Sequence, residues 1–194
     1  GELFPVQTFI FKHALTQEVA YKSLLRKSRR EIHRRIGNAI EDIYHERLEE
    51  FSEMLAFHFE RGEVWGKSLE YHVKSGVKAR HAYSIQTAIN YFDRAKEIIK
   101  KQNPNVSWRI HYELFVERGG ALMDLGQGIY ALQEYDIAEE IAKREGQSDL
   151  KVQVLFSKAA ASLLSHEISQ MKAILEELEP LVANNVENLL GVVS

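Results

Sequence analysis

The residues best able to do chemistry in this 194-residue chain are its eight histidines, at positions 13, 33, 45, 58, 72, 81, 111 and 166, one glycine-lysine stretch and several pairs of acids. No two histidines stand three or four residues apart, so no helix presents the i, i+4 pair of a zinc-binding helix, and neither "HERLE" nor "HEISQ" completes H-E-x-x-H. No metal site is expected. The stretch "GEVWGKS", residues 62–68, comes close to the phosphate loop G-x-x-x-x-G-K-[ST], but its first glycine stands four places before Gly66 where the loop needs five. The preceding "LAFHFER" reads as helix where a buried strand is required, so a helix-helix turn that packs Trp65 and Leu69 into a hairpin is expected. The adjacent acids Glu49/Glu50 and Glu139/Glu140 stand on otherwise polar helix faces and read as solvated surface, not as a buried acid-base pair. With no cysteine, the chain has no thiol nucleophile, disulfide or thiolate metal site. That leaves His13, which ends the β-like run in "FIFKHALTQEVAY" and opens an amphipathic helix.

The elements that would carry these residues are almost all helices. Only Pro5, Pro104 and Pro180 interrupt a chain filled with Ala, Leu, Glu, Lys, Arg and Ile at helical spacing, which predicts an all-α fold. Residues 6–11 alternate and are β-branched or aromatic, predicting one short strand with no partner strand in the chain. The chain is therefore expected to be a piece of something larger. Thr16 can cap a helix to about Lys27, and Ser28 with Glu31 forms an S-x-x-E capping box before Ile32, Ile36, Ile40 and Ile43. Further helices are expected near 46–61, 64–82, 85–101, 107–125, 128–144, 149–165 and 167–182, with a short last one after Asn185. The breaks fall at Gly62, Ser84, Asn103-Pro104, Gly126, Gly146 and Ser165.

Composition narrows the class. The chain is 45% hydrophobic and 27% charged, has no apolar run near the roughly 18 residues of a membrane span, and shows no secretory leader, so a cytoplasmic protein is expected. From Lys22 to Arg35 seven basic residues face one acid, a local charge of about +6. These cations interleave with Leu24, Leu25, Ile32 and Ile36, which are expected to be buried, and no aromatic platform stands among them to stack bases. An acidic protein partner, such as another domain of the parent, fits the run better than nucleic acid.

Hairpins of nearly equal length carry an internal repeat. Gly76, Ala88, Phe92 and Ala95 align with Gly119, Ala131, Tyr135 and Ala138 at a period of 43 residues with identical internal spacings. Small residues let two helices approach, and an aromatic fills the gap toward the next hairpin. The pattern resembles the tetratricopeptide (TPR) signature. A weaker copy follows at Ala159, Met171, Leu175 and Leu178, and a hairpin from Leu48 to Gly76 is expected before the first clear copy. The clear copies span about 69–101 and 112–144, the weaker one 152–182, and the hairpins should stack into a right-handed α-α superhelix.

The segment "FKHALTQEVAYKSLLRKSRREIH", residues 11–33, and its continuation "LAFHFERGEVWGKSLEYHVKSGVKARHAYSIQTAINYFDRAKEI", residues 55–98, resemble bacterial STAND-class signalling ATPases, including those that begin with a class III adenylate/guanylate cyclase domain. The resemblance implies that residues 1–44 are the tail of a winged-helix module, with a strand remnant and linking helices, and that residues 45–194 are TPR-like repeats. It implies ATP or ADP for the parent and, for His13, a contact with the β-phosphate of bound ADP that reports nucleotide state. The ATPase and any cyclase carboxylates lie outside residues 1–194, so no catalytic residue and no cofactor are assigned to the chain itself. Leu3, Phe4, Phe9 and Phe11 are expected to lose their native partners. The implied function is a protein-binding or regulatory module that relays partner binding to nucleotide state upstream; a regulatory module of an ATP-dependent transcriptional regulator is the alternative. A small α-helical enzyme lacks a nucleophile, a metal set and a phosphate loop. In the TPR pattern the first helix of each hairpin lines the concave face, which directs Glu70, Val73, Val77, Arg80 and His81, with Glu113, Val116, Met123 and Asp124, to a partner groove. Oligomeric state is not legible.

Overall fold

The computed structural model describes residues 14–191, with side-chain surroundings given within 18–183. The expected strand at residues 6–11, His13 and the apolar residues Leu3, Phe4, Phe9 and Phe11 lie outside the described residues. Among those described, all regular structure is helical: α1 (Ala14–Ser23), α2 (Arg26–Ile43), a 3-10 turn (Leu48–Phe51), α3 (Ser52–Arg61), α4 (Trp65–His81), α5 (Ile85–Gln102), α6 (Trp108–Asp124), α7 (Gly128–Arg144), α8 (Ser148–Leu164) and α9 (Ile168–Gly191). From α2 on, each helix packs on the next, and α4 also meets α6 as α6 meets α8, the arrangement of a helical repeat.

One turn geometry, used five times, sets this regularity. Glu63, Tyr83, Gly126, Gly146 and His166 each take a positive φ just after a helix ends. The next residue's N–H then donates back to the carbonyl five residues earlier: Val64 to Phe59 and Ser84 to Ala79 at 2.9 Å, Gln127 to Leu122 at 2.8 Å, Gln147 to Ala142 at 2.9 Å and Glu167 to Ser162 at 2.8 Å. That bond satisfies an orphan carbonyl and reverses the chain within three residues, so consecutive helices become antiparallel neighbours. Between α5 and α6 the link is longer, with Asn103 at φ 41 closing α5 and the Ser107 hydroxyl accepting from the Arg109 amide to cap α6.

The helices meet where the repeat places small residues. A Cβ on Gly76 would stand 2.3 Å from the Phe92 ring, and one on Gly119 would stand 2.5 Å from Tyr135. Both rings are buried, beside Ala88, Ala95, Ala131 and Ala138. A third seam of the same kind joins α2 to α3, where a Cβ on Gly37 would be 2.8 Å from Phe59. The helix pair preceding the first clear copy is therefore α2/α3 by its seam, although α3 also packs on α4. The weaker copy behaves differently. Leu175 is 47% exposed, and α9 closes on α8 through Ile174 and Leu178 against Leu155.

Several expectations need correction. Thr16 lies inside α1, which begins at Ala14 and ends at Ser23, so it does not cap a helix to Lys27. Glu139 is buried and paired with Lys143 and Lys158, not solvated, because its face of α7 meets α8. The Ser28/Glu31 box does not cap a helix: α2 begins at Arg26 with Leu25 as its cap, and Arg26 and Arg30 both reach Glu63, which holds that first turn against the α3–α4 link. The helix expected from residue 46 begins at Ser52, because a 3-10 turn occupies the approach. The break after residue 182 is absent, since α9 continues through Pro180, which lies on an exposed face where water can meet the carbonyl that proline leaves without a donor. Finally, Leu24, Leu25, Ile32 and Ile36 are exposed, because α2 turns His33, Gly37 and Ile40 toward α3 and leaves the opposite side uncovered.

Candidate functional site

Where α4 and α6 run beside the turn that leads into α3, they enclose a groove of about 380 Å³. Its floor is Val77, half-buried against the main core. Lys74, Lys78 and His81 rise along α4 at positions that share one helix face with Val77; Glu113 enters from α6, Glu49 from the turn and Ser52 from the start of α3. Lys74 pairs with Glu70 at 2.6 Å, while Lys78 reaches Glu53 at 3.5 Å and the Glu50 carbonyl at 3.3 Å. Loss of water in the groove, with the nearby Glu117 and Glu70 charges, pushes the Glu113 carboxyl above the usual carboxylate range despite the pull of Lys74. The groove thus offers an apolar floor between two lysines and an easily protonated acid.

The nine residues expected to face a groove divide by what they touch. Val77, His81 and Glu113 line it, and Glu70 acts there through Lys74. Arg80 is engaged elsewhere: its Nε donates to Asp124 at 2.8 Å, its terminal nitrogen donates to Glu117 at 2.9 Å, and the guanidinium lies so close over Gly120 that a Cβ there would stand 2.5 Å from it. Arg80 and Asp124 therefore latch α4 to α6. Val73 is 1% exposed and belongs to the core, which corrects its assignment to the groove. A helix face about 100° wide can serve only one neighbour, and residue 73 falls on the side that meets α5 and α6. Val116 and Met123 are half-buried against the same core. Lys74 and Lys78 were detectable in the sequence as members of the i, i+3, i+4, i+7 set with Val77 and His81. Glu49 and Ser52 arrive from another segment and give no such signal.

A second cluster was hidden by sequence distance. Tyr21, His33 and His58 bring α1, α2 and α3 together, with the Tyr21 hydroxyl 3.0 Å from His33 Nε2 and the two Nδ1 atoms 3.0 Å apart. Burial lowers both imidazoles from their ordinary pKa, and for His33 the nearby His58 and Arg61 add to the effect. Arg29 lies over the Tyr21 ring at 5.3 Å. The cluster contains no carboxylate, and among the described residues no group of three His, Asp or Glu side chains could hold a metal ion. In the array itself, Glu60 accepts from Arg94 at 2.7 Å and faces His72 at 3.2 Å; the His72 contact first, then Arg94, holds its carboxyl down at about 2 against the opposing effect of burial. This is a helix tie between α3, α4 and α5. The "GEVWGKS" segment is the α3–α4 turn, as expected: Val64 caps α4, and Trp65 packs on the core.

Among the described residues, no helix is long and apolar enough to cross a membrane. No protein-family model matches the chain, and no characterised protein is found to match it.

Proposed function

We propose that this chain is a non-catalytic recognition module, a TPR-like superhelix whose groove beside α4 binds a peptide segment of another protein or of an upstream domain. We place it, as the sequence resemblance implies, in a cytoplasmic signalling ATPase of the STAND class, of the kind fused to adenylate cyclases, where partner binding is relayed to nucleotide state. The observation that carries the binding reading is the groove. Its apolar floor at Val77 is flanked by Lys74, Lys78 and Glu113, groups able to meet both the carbonyls and the side chains of a bound segment. The helices around it are held rigid by the Gly76–Phe92 and Gly119–Tyr135 seams and by the Arg80 latch, so little ordering cost falls on the protein.

The test is selection of peptides from a displayed random library on the whole chain, followed by titration against Val77→Asp and His81→Glu. Arg80 variants do not serve, because they also break the latch. Selected peptides should lose at least about tenfold in affinity on both variants. Peptides indifferent to both would remove the groove proposal. Reading the gene upstream of Gly1 for an ATPase followed by a winged helix tests the parent independently.

A further inference from the structure

Helices α7 and α9 are register equivalents 40 residues apart, each opening after the same turn, at Gly126 and at His166. One stripe of α7, formed by Gly128, Leu132, Tyr135, Glu139 and Ala142, is buried throughout. Helix α8 covers it: a Cβ on Gly128 would stand 2.3 Å from the Ser165 hydroxyl at the end of α8, and Glu139 pairs with Lys158 at 2.7 Å. Forty residues later the stripe reads Ile168, Lys172, Leu175, Glu179 and Val182, and all five are exposed. Ile168, Leu175 and Val182 are among the large apolar residues the protein leaves in water, and Lys172 and Glu179 have no ion-pair partner among the described residues. Among the described residues, the surface that α7 offers to α8 thus recurs on α9 and is exposed there.

The residue pattern specifies the occupant. The stripe is self-complementary about Leu175: Ile168 stands seven residues before it and Val182 seven after, Lys172 three before and Glu179 four after. We infer that α9 pairs antiparallel with α9 of a second copy of this chain. The two-fold axis passes by Leu175, so that Ile168 meets Val182 of the other copy and each Lys172 meets a Glu179 across the axis. An isologous contact forms every such pair twice and closes on itself, leaving no free face to extend into a filament. A single stripe of four helical turns is smaller than the standard stable interface, so the dimer should be weak, with dissociation in the range of tens of micromolar. This inference is independent of the groove, which lies on α4 and α6.

Sedimentation equilibrium on the full chain, from about 5 to about 200 µM, tests it. The wild type should pass reversibly from monomer to dimer. Leu175→Glu should remain monomeric across that range. Lys172→Glu and Glu179→Lys should each weaken association at least about tenfold by placing like charges across the axis, and the double variant K172E/E179K should restore it. All five positions are exposed, so the variants keep their fold, and an unchanged thermal transition at low concentration verifies this. A wild type that stays monomeric throughout overturns the inference. So does association that survives Leu175→Glu, or a charge-reversed double variant no better than the single ones, which would assign the stripe to a different helix.

Discussion

The hairpins α6/α7 and α8/α9 are built on the same plan, yet one buries its aromatic position and the other leaves it in water. Tyr135 sits on Gly119 with its phenol pushed up to about 12 by burial, whereas the equivalent Leu175 is 47% exposed. The difference follows from the neighbours. Tyr135 belongs to the stripe that α8 covers, while Ile174 and Leu178 lie on the face of α9 that meets α8 and are buried by their own hairpin alone. Stability in such an array is the sum of what a hairpin buries by itself and what the next one buries on it. The hairpin α6/α7 receives both contributions, whereas among the described residues α8/α9 shows only the first.

The largest expected effect separates the two regions directly. Phe92→Ala empties a fully buried site in the central seam and should cost about 3–5 kcal/mol in denaturant unfolding, against less than about 1 kcal/mol for Leu175→Ala. Equal costs would show that α8/α9 is as tightly built as the centre. The next effect concerns the glycines. Gly76→Ala forces a methyl into the Phe92 ring and should cost about 1–3 kcal/mol, read as a fall in thermal midpoint. Gly126→Ala meets no atom within 4 Å and should cost only the strain of its positive φ, about 1 kcal/mol. Tyr83→Gly should act in the opposite direction, stabilising the α4–α5 turn by up to about 1 kcal/mol.

The smallest effect contrasts the polar junction of α1, α2 and α3 with the apolar seams. His33 and His58 are held below their ordinary pKa of 6.5 when folded, so the unfolded chain binds more protons as pH falls below that value. Their contribution is complete above pH 6.5 and is lost progressively as pH falls from 6.5 through the folded values. Amide hydrogen exchange, corrected for intrinsic rates, should show α2 and α3 opening more readily at pH 5.5 than at pH 7.5, with α9 little changed. The variant H58F should flatten that dependence.

Much of this was legible in the sequence because it is local. Helical spacing located the helices, α7 to the residue, and the 43-residue repeat named the two central seams before any contact was visible. What the sequence concealed depended on distant partners. Gly37 and Phe59 form a seam of the same type, but a longer link separates them than separates Gly76 from Phe92, so the repeat did not align. His33 and His58 looked unrelated at 25 residues apart and are hydrogen-bonded. Val73 and Val77 lie one turn apart on α4, yet one is core and the other groove floor, because α5 and α6 cover only part of the helix.

By itself, then, the sequence determined that the chain forms helices, where most of them turn, and that glycine-aromatic pairs bring them together. These follow from backbone preferences and from side-chain volume at fixed spacing, both properties of residues close in the chain. Only the tertiary structure decided which apolar stripes are covered. Arg80 became a latch, Lys74 and Lys78 the walls of a groove, and the α9 stripe an open surface. Burial depends on what stands on the far side of a helix, and the residues that stand there come from segments that no local pattern connects.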